Sequence, residues 1–162
     1  MKNPKQFQIY ETSHWLINHR LDSTLPGYLM LGSKTAARDL CQLSKGALMS
    51  LGPLLAKAQN ALNTSLKPNR IYIGRYGHTP GYPIHFHLIP IYEWVEELYQ
   101  NDARYRVLQQ FAEPSAGTNP DGAELTFFIW REFCEKSVPP PIESPSVSQT
   151  IDILRNAMRD SM

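Results

Sequence analysis

Hydrophobic and polar residues follow two rhythms along this chain. A period of two marks His14 to Arg20 (HWLINHR), with Trp15, Ile17 and His19 on one side, and Ile84 to Ile91 (IHFHLIPI). Three shorter runs also predict strands. Tyr28 to Leu31 follows the turn pair Pro26-Gly27, Arg70 to Tyr76 is rich in β-branched and aromatic residues, and Leu125 to Arg131 (LTFFIWR) is bulky and aromatic. A rhythm of three and four runs through Leu48, Leu51, Leu55, Ala58 and Leu62, behind Ser44 as a cap, and predicts a helix whose apolar stripe packs on a sheet. A second helix is expected over Tyr92 to Phe111 from the spacing of Trp94, Val95, Leu98 and Leu108. Pro114 to Gly122 reads as a turn-rich loop and Pro139-Pro140-Pro141 as extended polyproline. Ser148 to Met158 then forms a short amphipathic helix with Ile151, Leu154 and Met158 on one face, to wrap its own domain or reach a partner subunit. Tight links between adjacent strands favour antiparallel pairing, so the expected class is α+β, with about five strands, one main packing helix, a second helix and a Pro-rich C-terminal extension.

Length and charge narrow the functions. The 162 residues can bury one sizeable core without disulfide or metal staples, and 42% apolar residues against 19% charged is a globular composition. A net charge of +1 argues against a duplex-DNA binder or a polybasic membrane-surface module, so neither a nucleic-acid polymer nor a membrane is expected as partner. No run approaches the roughly 18 apolar residues of a membrane span, and the N-terminus lacks the apolar segment of a signal peptide. Cys41 and Cys134 read as two free, buried and inert thiols in a reducing compartment, so the expected location is the cytoplasm.

The candidate chemistry lies at His85-Phe86-His87. Residues two apart in a strand share a face, so the two imidazoles stand side by side, about 7 Å apart at Cα, while Ile84, Phe86 and Leu88 face the core. Neutral imidazole is a nucleophile near pH 7 and can attack phosphorus and leave again, with a second imidazole to hold phosphoryl oxygens. The preceding loop, Gly77 to Pro83, could offer the Thr79 hydroxyl and backbone amides to a phosphate. The same pair could be two surface residues, or two metal ligands joined by His14, His19 or His78.

Leu25-Pro26-Gly27-Tyr28-Leu29-Met30-Leu31, a helix, Tyr72-Ile73-Gly74 and then Ile84-His85-Phe86-His87-Leu88-Ile89-Pro90 together resemble the histidine triad (HIT) superfamily. Its signature is His-φ-His-φ-His-φ-φ, commonly followed by Pro, after an earlier Pro-Gly-His strand. The resemblance runs from about Trp15 to Pro90. It implies a HIT-like domain over residues 1–136, with residues 137–162 as a Pro-rich arm and short helix. Aligning Leu88-Ile89-Pro90 with the terminal φ-φ-Pro makes His87 the third histidine and His85 the middle one, the family's nucleophile. The first histidine then falls on Pro83, so the triad is incomplete, and the histidine after Pro-Gly is Tyr28. Proline keeps the carbonyl that would orient the nucleophile. By this resemblance the substrate is a small nucleotide conjugate, attacked at its α-phosphorus through a covalent nucleotidyl-histidine. Catalysis falls to His85 and His87. Substrate binding falls to Asn18 (with Asp22 as rival for the ribose), Thr79, His78, Trp15 and Ile17. No cofactor or metal is required, and a homodimer is implied. A nucleotide-binding protein with little turnover, or a His-ligated metal protein, are the alternatives.

Overall fold

A computed structural model describes residues 5–76, 81–105, 122–143 and 145–160. Five strands, β1 (Gln8–Glu11), β2 (Trp15–His19), β3 (Leu29–Ser33), β4 (Arg70–Gly74) and β5 (His85–Ile91), form one antiparallel sheet in the order β1-β2-β3-β5-β4. Helix α1 (Lys45–Leu66) connects β3 to β4, α2 (Glu93–Asn101) follows β5, α3 (Gly122–Trp130) runs into a π turn at Arg131–Glu135, and α4 (Val147–Asp160) ends the described chain. The class is α+β, as the sequence predicts.

Strand pleating divides the core in two. Trp15 and Ile17 of β2, Leu29 and Leu31 of β3, and Leu88 of β5 share one face, where α1 and α4 cover them with Leu54, Ala58, Leu62, Ile151, Leu154 and Met158. On the other face Ile89 and Ile91 meet Val95 and Tyr99 of α2, Leu125, Phe128 and Ile129 of α3, and Phe133 of the π turn. The N-terminal end of β5 turns His85 and His87 to this second face.

Three expectations need correction. Leu125–Arg131 is not a strand: its bulky residues suit one, but Leu125, Phe128, Ile129 and Phe133 recur at helical steps and bury a single helical stripe. The fifth strand is instead Gln8–Glu11, an edge segment with one buried residue, Ile9, and a bulge against β2. Ser44 does cap α1, its Oγ accepting from the Ala47 N–H at 3.2 Å, but Leu48 stays 42% exposed. The other four residues of the expected stripe, Leu51, Leu55, Ala58 and Leu62, do pack in or against the core, joined there by Ala47, Leu54 and Ala61. Helix α2 ends at Asn101, short of the expected range, and Leu108 lies outside the described residues. The C-terminal helix packs on α1 and β1 of its own chain through the three apolar residues its spacing picks out.

Both thiols are free, but Cys41 sits exposed on a 3-10 turn (Leu40–Gln42) rather than buried. Among the described residues no helix is long and apolar enough to cross a membrane.

Candidate active site

His85 opens β5, and its ring is oriented by the backbone immediately before it. His85 Nδ1 lies 2.9 Å from the Pro83 carbonyl oxygen. A carbonyl only accepts, so Nδ1 carries the proton and Nε2 presents its lone pair. That carbonyl is held in turn. The Ile84 N–H donates to Ala37 O at 2.7 Å, Ile84 O accepts from the Ser33 N–H at 2.9 Å, and the Ile84 side chain is buried in the first core. Pro83, which has no N–H of its own, thus supplies the carbonyl that aims the ring of His85.

His87 lies deeper, at 6% exposure, with its ring centroid 5.2 Å from that of His85. Its Nδ1 lies 2.9 Å from the Tyr28 hydroxyl oxygen, and that oxygen accepts from Arg20 Nη1 at 2.9 Å. Arg20 is gripped by both oxygens of Asp22, at 2.6 and 3.0 Å. The nitrogen of His87 left for a ligand is Nε2, which is buried and has no partner among the described residues. Burial pushes the His87 pKa down to about 4, helped by the charges of His85 and Arg20 and opposed by Asp22. Burial raises the Tyr28 hydroxyl to about 12, so it keeps its proton at neutral pH.

Around this pair the sheet shapes a floor. Cross-strand register sets Asn18, Met30, His87 and Gly74 in one row, and Leu16, Gly32 and His85 in the next. Gly32 puts no side chain beside His85. Gly74 leaves room for Tyr76, because a Cβ there would come within 2.6 Å of the Tyr76 hydroxyl. Tyr76 packs edge-on to His87, centroids 5.1 Å apart. Asn18 shares the face of the imidazoles, is 4% exposed, and its Oδ1 has no partner among the described residues. Its rival Asp22 is occupied by Arg20.

Trp15 and Ile17 must be moved out of the expected pocket. Odd positions of β2 face the other side of the sheet, where both residues are fully buried, and Trp15 Nε1 donates to Ala47 O at 3.1 Å in α1. His78 and Thr79 lie outside the described residues. Of the other candidate ligands, His19 is buried between the Arg20 and Leu25 carbonyls, and His14 stands beside Gly46. Among the described residues no three His, Cys, Asp or Glu side chains gather as a metal site. Arg75 is tied to Arg38 O and Asp39, and Arg104 to Asp102 and Glu132.

The sequence reading missed Arg20 and Tyr76 as parts of this site and had no role for Tyr28. The position of Tyr28 directly after Pro-Gly was the one available signal. Also missed was the C-terminal contribution. Phe133 O in the π turn accepts from the Thr24 N–H at 2.9 Å and from Thr24 Oγ1 at 3.3 Å, and Cys134 meets Ser23, so this segment backs the loop that carries Arg20.

No protein-family model matches the sequence, and no curated protein matches it. Solved structures do. A zinc-bound histidine triad family protein from Mycobacterium smegmatis superposes with TM-score 0.56 at 15% identity, over 94% of this chain and 84% of that one. A hypothetical histidine triad nucleotide-binding protein from Sulfolobus tokodaii strain7 gives 0.55 at 14% identity, over 95% and 84%. A structure described as uridylyltransferase gives 0.59 at 13% identity, covering 97% of this chain but 42% of that longer one. The fold of this chain is that of the histidine triad proteins.

Proposed function

We propose that, on this histidine triad fold, the chain binds a small nucleotide conjugate and transfers its nucleotidyl group through His85. The observation that carries the reading is the pairing of two differently prepared imidazoles. His85 Nε2 offers a lone pair because Nδ1 is held on Pro83 O, and beside it His87 keeps only Nε2 for a ligand. In the reaction the His85 Nε2 lone pair forms a bond to the α-phosphorus, and the bond from phosphorus to the leaving oxygen or nitrogen breaks, its electrons going to the leaving group. The nucleotidyl-imidazole carries its positive charge against the Pro83 carbonyl. Water then attacks phosphorus, the N–P bond returns its electrons to Nε2, and the water proton leaves to solvent. His87 Nε2 meets a phosphoryl oxygen, which carries growing charge during both displacements. The orphaned Asn18 Oδ1 accepts from a ribose hydroxyl. His78 and Thr79 remain proposed substrate contacts. Nucleoside phosphoramidates, dinucleoside polyphosphates and related conjugates share the required α-phosphorus.

A quenched reaction with radiolabelled substrates of these three kinds tests the reading. A labelled protein adduct, lost in His85→Asn, is expected. Wild-type protein that yields neither adduct nor turnover with any of them, yet binds AMP or GMP by calorimetry, would reduce the reading to nucleotide binding alone. No binding at all would remove both.

A further inference from the structure

We propose that Tyr28 and Arg20 are positioning residues that set which nitrogen of His87 carries the proton, making it a fixed donor to phosphoryl oxygen. This rests on the nucleotidyl-transfer reading for its consequence, but not for its geometry. Arg20 has donors only, and Asp22 clamps its guanidinium, so Arg20 Nη1 must donate to the Tyr28 oxygen. The Tyr28 hydroxyl is then left to donate its own proton to His87 Nδ1, 2.9 Å away. His87 therefore holds its proton on Nε2, the atom that has no partner among the described residues. In the opposite arrangement Tyr28 oxygen would accept from both Arg20 and His87, and its own proton would be stranded at a residue 2% exposed. It would also turn a lone pair of His87 toward the phosphoryl oxygen. Asp22, Arg20 and Tyr28 thus act in series through loop residues 20–24, which Phe133 O and Cys134 of the π turn after α3 hold from behind.

The charged and titratable groups facing His87 are His85 on its own strand, Tyr28 before β3, Arg20 and Asp22 after β2, and Tyr76 after β4. Removing the positive charge of Arg20 makes protonation of His87 easier, whereas Tyr28 acts on His87 through the hydrogen bond to Nδ1. Tyr28→Phe and Arg20→Met separate these contributions, and Tyr28→Phe keeps the buried ring.

Histidine nitrogen NMR on the full chain reads the tautomer without any substrate. In the wild type His87 is expected to show a proton-bearing Nε2 and a bare Nδ1, with mixed tautomers in both variants. A proton on Nδ1 in the wild type, or no change in either variant, overturns the proposal. With a turned-over substrate, kcat/KM should fall about ten- to a hundredfold in each variant, as for other partners that orient a working imidazole. In Arg20→Met the acidic limb of its pH profile should also move to higher pH. A uniform loss with an unmoved profile would signal a merely structural role and refute positioning. If the tautomer shifts as expected but no substrate turns over even in the wild type, the enzyme reading fails and the relay stands.

Discussion

Keeping His87 neutral has a cost that a denaturation experiment can read. His87 takes up a proton in the unfolded chain near its ordinary 6.5, but in the folded protein only near 4. Between those values the unfolded state binds more protons, so stability is complete above pH 6.5 and falls as pH is lowered through the window. Between pH 7.5 and pH 5 the loss through this one residue is roughly 2 kcal/mol, and it approaches about 3 kcal/mol by pH 4. The perturbation is His87→Gln, which keeps a polar side chain in the pocket and removes the titration. Urea unfolding of both proteins at half-unit steps from pH 7.5 to pH 4.5 gives two stability curves. His19, whose pKa burial also lowers, contributes equally to both. The wild-type curve should fall more steeply, with the gap closing by about 2 kcal/mol by pH 5 whatever the two stabilities are at neutral pH. Parallel curves would show that His87 is not held neutral by the fold, and its role as an uncharged donor would go with that result.

Four other substitutions probe the site and its support. Leu154→Ala in α4 removes a side chain with no exposure and should cost roughly 2–5 kcal/mol in urea unfolding, whereas Ile153→Ala, 38% exposed, should change little. Equal effects would mean that the C-terminal helix does not dock as described. Gly74→Ala displaces the Tyr76 ring, which is itself 45% exposed and free to swing, so stability should change by under ~1 kcal/mol. Nucleotide affinity should drop several-fold by calorimetry, and an unchanged affinity would remove Tyr76 from the site wall. Asn18→Ala should weaken AMP binding about tenfold, the worth of one hydrogen bond to a buried acceptor, without destabilising the free protein by more than ordinary truncation. AMP affinity equal to wild type would exclude Asn18 from ribose binding.

The parts of this protein legible in its sequence are those whose cause is local. Alternation in IHFHLIPI was enough to place His85 and His87 on one face, because side-chain direction in a strand follows from the pleat alone. Ser44 and the apolar spacing announced α1, and the spacing of Ile151, Leu154 and Met158 announced the C-terminal helix. The carbonyl that survives at Pro83 was also foreseeable from the chemistry of proline, and it lies where His85 needs it.

What local pattern could not supply is partnership. Gln8–Glu11 has too little apolar character to announce itself and becomes a strand only because β2 offers an edge. LTFFIWR has residues fit for a strand, and helix wins because α2 and Ile89 offer one face to bury them against. Trp15 and Ile17 alternate correctly, but alternation does not say which face meets α1 and which carries the imidazoles. Arg20, Tyr28 and His87 stand 8 and 59 residues apart along the chain and meet through hydrogen bonds that no spacing rule contains. Sequence determined the direction of each side chain from its own backbone. Only the tertiary structure decided which donors and acceptors face one another, because that depends on how separate elements pack and on which buried polar groups are left to satisfy each other.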